Sequence, residues 1–141
     1  MSNTYGIYNS GSIVLEYWEG LVRAEELFGH QRLQEVDPGI AEHATTIVDF
    51  RNVTFEISDT DVLNFAQAFT KNSPCTKKKM ALVISEVDWE KASLYSQQVW
   101  SDDVEVIAFH SLEAACAWLN LDSANIETKL LELKNGLLTS A

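Results

Sequence analysis

Residues 44–69, ATTIVDFRNVTFEISDTDVLNFAQAF, carry two hydrophobic periods in succession, and this constrains the fold more than any other feature of the chain. Thr45, Thr46, Ile47, Val48 and Phe50 form a β-branched and aromatic run with charge only at Asp49 and Arg51, as in a strand covered on both faces. Beyond Ser58, the residues Val62, Phe65, Ala66 and Phe69 follow the 3.6-residue spacing of a helix that buries one side. The stretch reads as a strand over 44–50, a loop, and a helix over about 59–70, with Ser58 and Asp61 at capping-box spacing.

The flanking sequence extends the alternation. Tyr5 to Tyr8 and Ile13 to Trp18 surround Asn9-Ser10-Gly11-Ser12, which predicts a β-hairpin. A helix is expected from Gly20, with Leu21, Ala24, Leu27 and Phe28 on one side and Asp37-Pro38-Gly39 as its stop. Met80 to Ser85 reads as a buried strand, and Asp88 is placed to cap a helix bearing Trp89, Ala92, Val99 and Trp100. Val104 to Phe109 is the last strand. Ser111 then caps a helix whose Leu112, Ala115, Cys116 and Leu119 share a face. A C-terminal helix over 122–138 aligns Ile126, Leu130, Leu133 and Leu137, with Gly136 as its terminator. The expected order is β-β-α-β-α-β-α-β-α-α: a single α/β domain over 1–141 with one mostly parallel five-stranded sheet whose first strand is antiparallel.

Composition narrows the function classes. With 141 residues, 46% of them hydrophobic, the chain is long enough to bury a core without staples. Ten basic against 21 acidic residues give a net charge of −11, which disfavours a nucleic-acid partner; Lys77 to Lys79 is the main basic cluster. Cys75 and Cys116 are expected as free thiols in a reducing compartment, hence the cytoplasm. Residues 1–10 have no signal-sequence character, and no apolar run approaches the ~20 residues of a transmembrane helix.

These segments together resemble the SpoIIAA-like, or STAS, domains of anti-sigma-factor antagonists, and in particular an uncharacterised bacterial SpoIIAA-like group. The resemblance runs through the opening hairpin, IVDFRNVTFEISDTDV, MALVIS and IAFHSLEAACAWL. It implies a SpoIIAA-like fold and a non-catalytic regulatory module that docks a protein partner. In sporulation regulators of this fold a serine at the start of the helix after the central strand is phosphorylated. Ser58 falls at that place, although Ile57-Ser58-Asp59-Thr60-Asp61 departs from the Asp-Ser-Ser/Thr-Gly type of motif. The group is also similar to CRAL-TRIO-like lipid carriers, which implies an alternative: carriage or sensing of a small apolar ligand.

The candidate residues follow from both lines. Asp49, Glu56, Ser58, Asp59, Thr60 and Asp61 form the candidate partner-binding or phosphoswitch set, in which the carboxylates oppose a phosphate on Ser58 while the helix N-terminus favours it. The same carboxylates lack the Gly-rich loop that accompanies a Mg²⁺–phosphate site, so no metal or cofactor is expected. His30, His43 and His110 have no metal-ligand or triad spacing, and Glu26 with His30 reads as a surface i,i+4 pair. Trp18, Trp89, Trp100 and Trp118 are the apolar-ligand candidates, set against ordinary core packing. The leucine-rich C-terminal helix is expected either to close the core or to pair with a second chain as a homodimer.

Overall fold

The computed structural model describes residues 3–72, 78–101 and 103–139; Cys75, Lys77 and the helix stop at Ser73-Pro74 lie outside them. The strands are β1 (Asn3–Tyr8), β2 (Ile13–Arg23), β3 (Thr45–Glu56), β4 (Lys78–Ile84) and β5 (Val104–Phe109). The helices are α1 (Ala24–Glu35), α2 (Asp59–Asn72), α3 (Trp89–Val99), α4 (Leu112–Leu119) and α5 (Ser123–Thr139). The sheet order is β1-β2-β3-β4-β5; β1 is antiparallel to β2 and every other pairing is parallel.

This order fixes the layers. Three successive crossovers move in the same direction across the sheet, and right-handed connections then place α1, α2 and α3 on one face. The opposite face is left for α4 and α5. β4 shows the division residue by residue: Leu82 and Ile84 join the core with Leu27, Val62, Ala66, Ala92, Tyr95 and Val99, whereas Ala81 and Val83 join Leu112, Ala115, Cys116, Ile126 and Leu130. The C-terminal helix therefore closes the core, its apolar stripe buried at Ile126, Leu130 and Leu137. Ser111 caps α4 by accepting from the Ala114 N–H at 3.1 Å.

Four local expectations need correction. The segment from Gly20 continues β2 to Arg23, and α1 starts at Ala24. Gly20 sits at φ +76°, which lets the strand bend, and beyond it Leu21 is exposed while Val22 is fully buried, a period of two. β3 likewise runs on through the expected loop to Glu56, because Val53 and Phe55 alternate with outward Asn52, Thr54 and Glu56. Asp88 stands at the α3 N-cap position, but its carboxylate accepts from the Ser85 hydroxyl at 3.2 Å and caps no N–H. Gly136 does not end α5, which reaches Thr139.

β3 also holds a bulge. Tyr17 faces Asp49 and Glu19 faces Asn52, so β3 uses one residue more than β2 over this interval. The extra residue inverts the side-chain parity: Val48 and Phe50 face α1–α3 before it, and Val53 and Phe55 do so after it. The β2–β3 ribbon beyond the bulge has no partner on β4, whose pairing with β3 ends at Phe50.

The β1–β2 turn rests on glycine. Asn9, Ser10 and Gly11 all have positive φ, and a Cβ on Gly11 would stand 2.3 Å from the Gly39 carbonyl oxygen. Gly11→Ala is expected to cost about 1–3 kcal/mol in urea unfolding. Gly20→Ala, with nothing within 4 Å of its Cβ, carries only the cost of its positive φ and should cost less.

Candidate functional site: a buried ion pair beside an apolar cavity

Between the sheet and α1–α3 lies a cavity of about 110 Å³ that opens to solvent. Its walls are mostly apolar, and aliphatic side chains share them with aromatic rings: Trp18 from β2, Phe50 and Phe55 from either side of the bulge, Phe65 from α2 and Tyr95 from α3. Phe50 and Phe55 meet edge to face with centroids 5.0 Å apart, and Phe65 stacks on Tyr95 at 5.4 Å. The bulge thus delivers two rings of one strand to the same side.

Glu16, His30 and Gln34 border this apolar space. Glu16 projects from β2 between Val14 and Trp18, and α1 brings His30 and Gln34 one turn apart above it. His30 Nε2 lies 3.0 Å from Glu16 Oε1, with the two side chains only 5% and 8% exposed. Trp18 Nε1 donates to the same oxygen at 3.1 Å, and Gln34 Nε2 donates to Glu16 Oε2 at 2.8 Å. His30 Nδ1 pairs with Asn3 Oδ1 of β1 at 2.9 Å. Each ring nitrogen thus has an acceptor, Asn3 Oδ1 or Glu16 Oε1, as an imidazolium requires, and the Gln34 amide nitrogen also lies 2.7 Å from Nε2. Rings from Trp18 at 4.9 Å and Tyr5 at 5.3 Å flank the imidazole.

The electrostatics follow from this geometry. Burial alone would raise the Glu16 carboxyl, but the His30 charge and hydrogen bonds from His30, Trp18 and Gln34 together hold it below its ordinary 4.5. Burial would lower His30, and the Glu16 charge and hydrogen bond outweigh it, so His30 lies above its ordinary 6.5. The carboxylate's stabilisation is present above 4.5 and lost as pH falls through its lowered folded value. The imidazolium's is complete below 6.5 and lost as pH rises through its raised folded value. The pair therefore contributes most between pH 4.5 and 6.5. In urea unfolding across pH 4–9, the stability difference between the wild type and Glu16→Gln/His30→Gln should peak in that window; a flat difference would mean the pair does not ionise.

The residues expected from the sequence are dispersed. Asp49 is buried on the α4–α5 face, where Arg51 grips it with Nε and an Nη each at 2.9 Å, and Arg51 also reaches Glu127 of α5 at 3.1 Å. Glu56 pairs with Arg23 at 3.5 Å, and Asp59 with Lys91 at 3.5 Å. Ser58 and Asp61 form the capping box: the Asp61 N–H donates to Ser58 Oγ at 3.1 Å and the Ser58 N–H to Asp61 Oδ2 at 3.0 Å. Thr60 is exposed in the first turn of α2. Among the described residues no group of three or more His, Cys, Asp or Glu could hold a metal ion. Of the tryptophans, Trp18 lines the cavity. Trp89 instead stacks on His110 at 4.1 Å, Trp118 lies beside Phe109 with Lys79 over its ring, and Trp100 is 53% exposed beyond the end of α3.

Sequence reading missed Glu16, His30, Gln34 and Asn3. His30 pairs with Glu16, and Glu26 Oε1 accepts from the Arg23 N–H at 3.2 Å at the start of α1. The available signal was a carboxylate inside VLEYW, where both faces of the strand are apolar, together with a His and Gln spaced i,i+4 on the next helix.

Among the described residues no helix is long and apolar enough to cross a membrane. No family model and no curated protein matches the chain. Among solved structures, the chain is similar to an uncharacterised protein of the DUF3478 family with a SpoIIAA-like fold from Shewanella loihica PV-4. That likeness has a TM-score of 0.55 and 17% identity, covering 84% of this chain and 94% of the other. The fold is therefore SpoIIAA-like, as the hairpin and the β3–α2 unit imply.

Proposed function

We propose that this SpoIIAA-like domain is a non-catalytic, cytoplasmic carrier or sensor that holds a small apolar ligand between its sheet and α1–α3. One observation supports the reading above the others: an apolar cavity of about 110 Å³, open to solvent, beside an ion pair whose charges compensate each other. Glu16 accepts from three side chains and His30 faces two acceptors, so neither is poised to exchange a proton with a substrate. Native mass spectrometry of freshly purified protein, with thermal melts in the presence of toluene and of indole, tests this. A co-purifying small molecule, or melting raised by several degrees at millimolar probe, is the expected result. Bare protein mass and unchanged melting with both probes would contradict it.

A second reading, a regulatory module that docks a protein through the α2 N-terminus, is favoured by exposure. Ser58, Asp59 and Thr60 face solvent, with Leu63 40% exposed on the next turn. Loss of the cap in Ser58→Ala should cost about 1 kcal/mol whichever reading holds. The docking reading further requires that Ser58→Asp change what the protein retains in a pull-down from its host; identical retention would remove it.

A further inference from the structure

The cavity's own chemistry limits what it can hold, and this inference rests on the ligand-binding reading above. Apolar cavities of about 150 Å³ accept a benzene molecule. A space of about 110 Å³ that opens to solvent is on the scale of one ring or a short alkyl group.

The charges at its border are already matched within the protein. Glu16 is paired with His30 at 3.0 Å, and Lys91 with Asp59 at 3.5 Å. A charged occupant would lose its hydration with no counter-charge to meet it, so the site selects against ions.

Two polar groups remain for the occupant: Gln31 Oε1, a buried acceptor with no hydrogen-bond partner among the described residues, and the Tyr95 hydroxyl. Tyr95 reaches the cavity from α3, and its ring is held by stacking on Phe65 and by an edge contact with Phe69 at 6.3 Å. Its hydroxyl makes no hydrogen bond among the described residues. Burial, and after it the Glu16 charge, raise its pKa, so the hydroxyl stays protonated and can donate.

We propose that the ligand is a neutral molecule of about one ring whose single oxygen function accepts a hydrogen bond from the Tyr95 hydroxyl. The class is that of small aromatic alcohols, phenols and carbonyl compounds.

The test compares toluene, phenol and benzoate on the wild type and on Tyr95→Phe, by calorimetry or by NMR titration at pH 6.5. Toluene and phenol are expected to bind the wild type, and benzoate much more weakly than phenol. In Tyr95→Phe the phenol affinity should fall roughly three- to tenfold while that of toluene holds, which also reports that the variant is folded. On the wild type alone, phenol should shift the Tyr95 Cζ resonance and toluene should not, so the answer does not depend on the variant. An unchanged phenol affinity in Tyr95→Phe, with toluene still bound, overturns the Tyr95 contact and leaves the apolar-ligand reading standing. Benzoate binding as tightly as phenol overturns neutrality. If neither toluene nor phenol binds the wild type, the ligand-binding reading fails and this inference with it.

Discussion

Replacing His30 with leucine should lower the unfolding free energy by about 3–5 kcal/mol near pH 6, one of the largest losses expected from a single substitution in this chain. The cause is the Glu16 carboxylate, whose side chain is 8% exposed. With His30 gone it keeps the donors of Trp18 and Gln34 but no counter-charge. Its pKa should rise above 4.5, and the variant should lose stability as pH climbs from 4.5 through the raised value and no further beyond it, because a buried carboxylate without a cation favours the proton. Glu16→Leu in the same chain should recover most of the loss, since a buried ion pair replaced by apolar groups is often neutral. Urea unfolding followed by circular dichroism measures both. A loss under about 1 kcal/mol for His30→Leu would mean that water reaches Glu16 and that the pair is solvated rather than buried.

Trp18→Ala is expected to cost about 3–5 kcal/mol for a different reason. Trp18 is 1% exposed, packs against His30 at 4.9 Å and Phe50 at 5.5 Å, and donates its indole N–H to Glu16. Truncation enlarges the cavity and removes a donor from a buried carboxylate. Trp100→Ala, at a residue 53% exposed, should stay within about 0.5 kcal/mol. The contrast separates the tryptophan that builds the site from one at the surface. Near-equal losses in the two variants would contradict the placement of Trp18.

Much of the architecture could be read from local pattern because both signals were strong where the packing is simple. Ile47 and Val48 on β3, and Val62 and Ala66 on α2, lie in the core that their periods imply. The failures share a physical origin. Gly20 bends β2 without changing its parity, since Trp18 and Val22 join the same core, and the bulge after Asp49 inverts the parity of β3, so residues that suggested a helix start or a loop belong to continuing strands. The Asp49, Glu56, Asp59 and Asp61 set dispersed because each carboxylate found a nearer partner: Arg51, Arg23, Lys91 and the Ser58 N–H. The Glu16–His30 pair joins residues 14 positions apart on different elements, and neither a strand nor a helix period reports a contact of that kind. Its trace in the sequence was a conflict, a carboxylate among apolar neighbours, of the sort that marks a site more often than a flaw.

The central claim is that an apolar space beside a neutralised ion pair accepts a ligand. Titration of methyl-labelled protein with toluene, followed by ¹H–¹³C NMR, tests it most directly. The expected result is a saturable shift concentrated on Val48, Val62, Leu82 and Ile84, which line the cavity, with Leu15, Val83 and Leu130 on the opposite face of the sheet unmoved. Shifts spread evenly over both faces, or none at the solubility limit of toluene, would contradict it.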